Sequence, residues 1–214
     1  GCRLIAPLFE AHERQVLSTK YLGVDETPIK VLDKTKKGTT HQGYYWVYYN
    51  THSRQVLFKY QTGRAAEWPK ETLKNYQGYL QTDGYAAYNQ FDDIAGITTL
   101  NCWAHARRKF IDAQSFDNTK ASEVLTQIQL LYAVEKYCVE NKYTPDEIKN
   151  YRQDHAVPLL AALHQILQTQ LLSSLPKSPM GMALQYTLAR WDKLKMYTSD
   201  GNLRIDNNLV GNSI

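Results

Sequence analysis

The sequence has few cysteines and no long apolar run, and each shortage excludes a class of protein. Its 3 cysteines among 214 residues show no paired spacing, which argues against a disulfide framework and favours a reducing compartment. No stretch approaches the about 20 apolar residues of a membrane span, and the N-terminal residues lack the order of a signal peptide. We therefore predict a soluble, cytoplasmic protein that has no membrane partner.

Charge of one sign is also in small excess, since 25 Lys and Arg against 21 Asp and Glu give a net +4. The positive residues cluster in two short segments, "KTKKG" with Lys36 and Lys37, and "ARRKF" with Arg107, Arg108 and Lys109. Such clusters can follow a phosphate backbone, although clusters this short more often belong to solvated loops or helix faces. Contact with DNA is therefore one of two interpretations at this point.

The first half of the chain alternates between strand and helix patterns. Aromatic and β-branched residues favour strands, and apolar residues at steps of three and four favour helices. The pattern predicts three strands in residues 21–33, 43–50 and 55–63, and a helix in residues 65–76. Residues 78–88 contain a fourth strand that ends at Asp83, and a short helix or turn follows. Residues 96–110 are predicted as a fifth strand that leads into a basic helix. We expect the helix in residues 65–76 to turn Trp68, Leu73 and Tyr76 inward, and Pro28 to confine the first strand to an edge or bulge.

The second half, residues 117–198, has leucine and isoleucine at helical steps and no strand pattern. Such stripes are core contacts far more often than cofactor sites, so we predict a mostly helical insertion. The chain then divides into a lead-in helix, a core, the insertion with its return helix, and the start of a last helix: residues 1–20, 21–116, 117–198 and 199–214.

Two acidic residues stand where strands are interrupted or end, Asp25 in "GVDET" and Asp83 in "QTDGY". A carboxylate within an apolar strand is costly to bury unless it is paired or binds a metal. If the first and fourth strands are neighbours, the two carboxylates meet and can hold Mg²⁺ or Mn²⁺. Two such ions about 4 Å apart can drive phosphodiester cleavage. An Asp before Gly is also a common turn former, so a purely structural role stays open for Asp83.

Five segments carry a further pattern between Tyr21 and the last residue: "YLGVDETPIKVLD", "KKGTTHQGYYWVYYN", "GYLQTDGYAAYNQF", "CWAHARRKF" and "IDNNLVGNSI". In this order they resemble the catalytic domain of the insertion sequence sixty-six family of bacterial transposases, which use an Asp, Asp, Glu triad. The resemblance implies an α/β (α+β) ribonuclease H-like fold, with a mixed five-stranded sheet flanked by helices and a helical insertion before the last helix. It also implies cleavage and joining of double-stranded DNA at transposon ends and targets, two Mg²⁺ or Mn²⁺ ions, a homo-oligomer on DNA, and association with the bacterial nucleoid.

Within this resemblance the family's first and second Asp correspond to Asp25 and Asp83. The third member, a Glu, falls at Gly211, which offers no oxygen side chain. We therefore predict a transposase domain whose chemistry is impaired. Two alternatives stay open: an inactive DNA-binding or assembly domain of the same fold, and a ribonuclease H-like nuclease that uses Glu67 or Glu71.

Three more residues within these motifs call for an interpretation. Asp206 precedes the last helix, and we predict that it caps that helix. Cys102 and His105 have the spacing of half a zinc site, but the remaining Cys and His residues form no matching half. We favour Cys102 as a core residue and His105 as a DNA-binding residue, together with the basic helix that follows it.

Overall fold

The chain folds into two units, which are described in turn. The computed structural model describes residues 2–32 and 38–208, with side chains from residue 5 onward in the first range. The first unit runs from the N-terminus to Thr99 and resumes at Asn207, and the second unit spans Leu100–Asp206. The four segments expected from the sequence stay a prediction.

The first unit contains a long helix and most of a five-stranded sheet. Its elements in chain order are α1 (Cys2–Leu17), β1 (Tyr21–Leu32), β2 (Thr40–Asn50), β3 (Val56–Gln61), α2 (Glu67–Thr72), β4 (Gly78–Thr82), a 3₁₀ helix (Ala86–Phe91) and β5 (Ile97–Asn101). The strand order is β3-β2-β1-β4-β5. Strands β1, β2 and β3 are joined as antiparallel neighbours, whereas β1 and β4 are parallel. The predicted mixed five-stranded sheet is therefore confirmed.

One face of this sheet carries the core of the first unit. Alternate residues of the strands are buried there, among them Leu22, Val24, Trp46, Tyr48 and Leu80, each 0% exposed. This period of two follows from the pleat of a strand, which turns successive side chains to opposite faces. Burying a side chain of this size contributes on the order of 2 kcal/mol. Trp46 and Tyr48 of β2 are thus sheet and core residues, whereas Tyr45 of the same strand is exposed.

The helix expected in residues 65–76 is shorter than predicted. Helix α2 ends at Thr72, and the next residue, Leu73, has φ −100° and ψ 12° while its N–H bonds to the carbonyl of Pro69. Leu73 and Tyr76 are buried as expected, but they are held by the turn after the helix, where the Tyr76 hydroxyl donates to the Tyr79 carbonyl at 2.7 Å. Trp68 is half-buried against the same core.

Pro28 lies at an edge of the sheet, as its missing N–H predicts. It is opposite Tyr44 of β2. Strand β4 pairs only with residues 21–23 of β1, so the part of β1 that contains Pro28 has β2 as its ladder partner. The outer half of β1 therefore extends beyond the parallel pair.

The second unit is helical, which confirms the sequence prediction for residues 117–198. Its elements are α3 (Trp103–Ala113), α4 (Asn118–Glu140), α5 (Pro145–Leu172), α6 (Pro179–Ala189), α7 (Trp191–Lys195) and a 3₁₀ helix (Met196–Ser199). Side chains at helical steps are buried in this unit, including Val124, Ile128, Leu131, Leu163 and Leu167. Within the described residues no helix has the length and apolar character needed to cross a membrane.

Polar residues fix the ends of these helices. The side chain of Asp117 accepts from the N–H of Lys120 at the start of α4, and Thr144 forms a capping box with Glu147 at the start of α5. Caps of this kind satisfy backbone N–H groups that have no partner in the helix. Cys102 and Cys138 are buried in this unit, at 0% and 2% exposure, so the predicted core position of Cys102 is confirmed.

Candidate metal centre

Asp25 lies within strand β1, and Asp83 directly follows the neighbouring parallel strand β4. The last registered pair of β1 and β4 joins Gly23 to Gln81, so each acid lies two residues further along its own strand direction. One carboxylate oxygen of Asp25 lies within 4.8 Å of one of Asp83. The convergence expected from the sequence is therefore present, whereas the role of the two acids as ligands stays a prediction.

Backbone hydrogen bonds orient both carboxylates. Asp25 Oδ1 accepts from the N–H of Glu26 at 2.9 Å, and Asp83 Oδ1 accepts from the N–H of Tyr85 at 2.8 Å. The turn after β4 depends on Gly84, whose φ of +83° is unfavourable for residues with a side chain. Both acids are half-buried, so their positions are set by the strand and the turn that carry them.

The donor set fits a hard divalent cation. Mg²⁺ and Mn²⁺ bind carboxylate oxygens and retain several waters, and Mg²⁺ takes its ligands at about 2.1 Å. Two ligands at that distance from one ion lie at most about 4.2 Å apart, so oxygens within 4.8 Å of each other are near the separation that a shared ion needs. The two negative charges also repel each other, so a cation between them relieves that repulsion.

A third acid, Glu26, lies beside this pair and was missed by the sequence analysis. Its side chain is 2% exposed and forms an ion pair with Arg64, and its second oxygen accepts from the Tyr88 hydroxyl at 2.8 Å. Burial raises the pKa of Glu26 from 4.5 to about 7, and the neighbouring Asp83 carboxylate adds to the shift, whereas the hydrogen bonds from Arg64 and Tyr88 oppose it. The sequence signal that indicates its burial is its position, because Glu26 follows Leu22 and Val24 at alternate places of β1 and therefore lies on the core face of that strand.

The other residues proposed from the sequence are distributed as follows. Gly211, Lys36 and Lys37 lie outside the described residues. His105, Arg107, Arg108 and Lys109 belong to the second unit, in helix α3. The last three are exposed, while Ala106 and Phe110 are buried, so the helix turns its consecutive basic residues to solvent. Their contact with DNA stays a prediction.

The alternative metal ligands do not join a cluster in the part of the chain that the structure describes. Glu67 and Glu71 are exposed on α2, and Glu71 pairs with Lys74 at 2.6 Å. Neither they nor Cys102 belongs to a group of three or more candidate metal ligands among the described residues. Asp206, expected as a helix cap, accepts a hydrogen bond from the Tyr132 hydroxyl at 2.8 Å. The two residues are 74 positions apart, and the motif around Asp206 does not predict this contact.

The mixed five-stranded sheet is the one that the resemblance to transposases implies, and the parallel strands β1 and β4 bring the two acids together. The profile described as Transposase IS66 family matches residues 1–214. The chain belongs to this family.

Relatives and one solved structure are also similar to the chain. Uncharacterized protein y4qI of Sinorhizobium fredii (strain NBRC 101917 / NGR234) is 28% identical over 205 residues, which cover 89% of this chain and 38% of that protein. Proteins y4jD and y4hP of the same organism are 28% and 26% identical, and cover 74% and 95% of the chain. The chain spans 32–40% of the length of these relatives. The cryo-EM structure of simian T-cell lymphotropic virus intasome in complex with PP2A regulatory subunit B56 gamma has a chain that matches 63% of this chain, over 48% of its own length, with 18% identity and a TM-score of 0.30.

Proposed function

We propose that this chain is the catalytic domain of a DNA transposase that cleaves and joins phosphodiester bonds with two Mg²⁺ or Mn²⁺ ions. The observation that supports the proposal is the approach of the Asp25 and Asp83 carboxylates to within 4.8 Å, in a chain that belongs to a transposase family. Neighbouring parallel strands bring together two acids that are 58 residues apart (83 minus 25) in sequence.

Asp25 and Asp83 are the residues that would hold the ions. When bound, such ions activate a water or a 3′ hydroxyl and stabilise the leaving oxygen. The protein contributes negative charge at a fixed place, because strand β1 and the turn at Gly84 hold the two carboxylates before any ion arrives. A preformed ligand pair lowers the cost of ordering the site on binding.

Gly211 accounts for the impaired activity that we propose for this chain. The family resemblance places a Glu at this position, and glycine supplies neither charge nor oxygen. A site with two of three carboxylates binds its ions more weakly and orients them less well toward a phosphate. We therefore propose metal binding without efficient strand cleavage.

Double-stranded DNA, at transposon ends and at the target, is the partner that we propose. Arg107, Arg108 and Lys109 are exposed together on α3, where their charges can neutralise phosphates and release counterions. Lys36, Lys37 and His105 are proposed as further DNA contacts. Action on two transposon ends requires two subunits, so we propose a homo-oligomer on DNA.

The second candidate is a DNA-binding or assembly domain that keeps the fold and has no chemistry. The observation that favours it is again Gly211 in place of the family's Glu. The two candidates differ in metal binding, because we expect an inactive DNA-binding or assembly domain not to bind Mn²⁺ between Asp25 and Asp83. They also differ in whether Gly211→Glu restores cleavage.

Calorimetric titration with Mn²⁺ tests the metal site. We expect Asp25→Asn and Asp83→Asn each to weaken binding at least about tenfold, since each removes a charged ligand. Asp93→Asn is the matched control, because Asp93 is an exposed acid of the same unit. The proposal fails if the unaltered chain binds no Mn²⁺, or if both substitutions leave binding as strong as the control does.

A second experiment tests the chemistry. In the full-length protein, Gly211→Glu should produce Mg²⁺-dependent nicking of transposon-end DNA, and Gly211→Gln, which restores size without charge, should not. Nicking that stays absent with Glu at this position would leave the inactive-domain candidate as the better account.

A further inference from the structure

The ion pair between the buried Glu26 carboxylate and the partly exposed Arg64 has no role in the metal binding proposed above. The Glu26 side chain is 2% exposed and that of Arg64 is 38% exposed. Burying a carboxylate costs several kcal/mol, and a pair of this kind returns little net stability compared with apolar residues of the same size. Stability alone is therefore a weak explanation for a glutamate on the core face of β1.

Two separate segments hold the Glu26 carboxylate. Arg64, in the connection between β3 and α2, donates through Nη2 to Glu26 Oε1. Tyr88, in the 3₁₀ helix after β4, donates through its hydroxyl to Glu26 Oε2 at 2.8 Å. Both oxygens thus have a donor. The Glu26 side chain therefore joins β1 to the connection that precedes α2 and to the 3₁₀ helix that follows β4.

A continuous set of contacts leads from Glu26 to both candidate ligands. The Arg64 guanidinium lies 3.9 Å from the centroid of the Tyr85 ring, whose hydroxyl donates to the Arg64 carbonyl at 3.2 Å. The N–H of Tyr85 donates to Asp83 Oδ1 at 2.8 Å. At the other end, the N–H of Glu26 donates to Asp25 Oδ1 at 2.9 Å.

We propose that Glu26 and Arg64 form a positioning pair that sets the distance and the orientation between the carboxylates of Asp25 and Asp83. The inference rests on the proposed metal site. Asp25 is fixed through the backbone of Glu26, and Asp83 is fixed through Tyr85, which the guanidinium of Arg64 holds in place. The pair acts through these contacts and touches neither an ion nor DNA.

Geometry of this kind matters because ligand positions decide metal affinity. Mg²⁺ requires near-ideal octahedral coordination, and partners behind the ligands often change metal affinity by about 10–100-fold. Three acids, Asp25, Glu26 and Asp83, also lie close together in this unit, and the charge of Asp83 disfavours the charged form of Glu26. Arg64 supplies the cation that keeps Glu26 in place beside them.

The substitution Arg64→Met separates a positioning role from a charge effect, because the two predict opposite signs. Loss of a cation near an acidic pair should strengthen Mn²⁺ binding if charge alone matters. Loss of the contacts that hold Tyr85 and Glu26 should weaken it. We expect a weakening of about fivefold or more, with Arg64→Lys intermediate, because lysine keeps the charge and lacks the planar guanidinium.

The control is another ion pair of the same unit, Lys59 with Glu13, which joins β3 to α1. Its side chains are 23% and 25% exposed, and Lys59 also donates to the Thr72 hydroxyl of α2 at 3.4 Å. Lys59→Met should lower the thermal midpoint while it leaves the Mn²⁺ dissociation constant within about twofold. If Arg64→Met and Lys59→Met have similar thermal midpoints and change the Mn²⁺ dissociation constant by the same factor, the positioning role is wrong.

Calorimetry on four proteins decides the inference: the unaltered chain, Arg64→Met, Arg64→Lys and Lys59→Met. If the unaltered chain does not bind Mn²⁺, the proposed function fails. If it binds and Arg64→Met binds as well or better, only the positioning pair fails. Should Arg64→Met not fold, Arg64→Lys decides, because weaker binding at an unchanged midpoint supports positioning and unchanged binding contradicts it.

Discussion

Each unit of this chain has a glutamate–arginine pair with one partner that is 2% exposed, and the two pairs have different surroundings. In the second unit Arg152 is 2% exposed and pairs with Glu135 through two hydrogen bonds of 2.8 and 2.6 Å. The same guanidinium donates to the carbonyls of Tyr197, Asp200 and Leu203. In the first unit, Glu26 and Arg64 are surrounded by aromatic rings and contact the acidic pair through Tyr85 and the backbone of Glu26.

The comparison separates two uses of the same chemistry. Arg152 satisfies main-chain carbonyls of the 3₁₀ helix Met196–Ser199 and of the loop that follows it, so its charge serves the fold. Arg64 holds side chains beside two candidate metal ligands, so its charge serves the site. Burying one charged partner is costly in both places, and what distinguishes the two pairs is the group that each arginine holds. Substitutions in the two pairs should therefore change different measured quantities.

The largest effect is expected for Arg152→Met. The substitution leaves Glu135 without its cation and three carbonyls without a donor, which costs about 3–5 kcal/mol when one partner of a buried pair is removed. Urea unfolding should show this loss, while Mn²⁺ affinity of the folded fraction stays the same. A loss below about 1 kcal/mol would show that the pair does not support the second unit.

The next effect concerns the pH dependence of stability in the first unit. Because the pKa of Glu26 rises from 4.5 to about 7 on folding, its contribution to stability is fully present below pH 4.5 and is lost as pH rises through 7. Glu26→Gln removes this dependence. In EDTA, the variant should gain on the order of 2–3 kcal/mol relative to the unaltered chain between pH 4.5 and 8. A difference that does not vary with pH would contradict the shift.

The smallest effect is expected for the basic helix of the second unit. Replacing Arg107, Arg108 and Lys109 with alanine should weaken binding to duplex DNA about tenfold and reduce the slope of log affinity against log salt by about 3. Fluorescence anisotropy at several salt concentrations measures both quantities. Lys136 and Lys149, exposed on α4 and α5, provide a control of similar chemistry. Unchanged affinity in the triple variant would exclude this helix from the DNA interface.

The sequence predicts much of the sheet because its signals are local. Aromatic and β-branched residues define β1 to β3, and strand placement brings Asp25 to Asp83 once β1 and β4 are neighbours. The helix in residues 65–76 was predicted too long. Leu73 and Tyr76 continue the spacing of apolar residues that is typical of a helix, but they lie in the turn after α2 has ended at Thr72. Burial alone does not distinguish a helix from the turn that follows it.

The two buried pairs could not be predicted from the sequence. Arg64 lies 38 residues from Glu26, and Arg152 lies 17 residues from Glu135. No periodic pattern connects residues at such separations. Apolar stripes identify the faces of helices and strands, whereas a polar residue within a stripe carries no information about its partner. Glu26 shows this most clearly, because its position among Leu22 and Val24 predicts burial and leaves the partner open.

Anomalous diffraction from crystals soaked in Mn²⁺ tests the central claim most directly. We predict a manganese peak within bonding distance, about 2.2 Å, of carboxylate oxygens from both Asp25 and Asp83, and its loss in crystals of Asp25→Asn. A peak that is absent from this place in crystals of the unaltered chain, or that persists in the variant, would contradict the account.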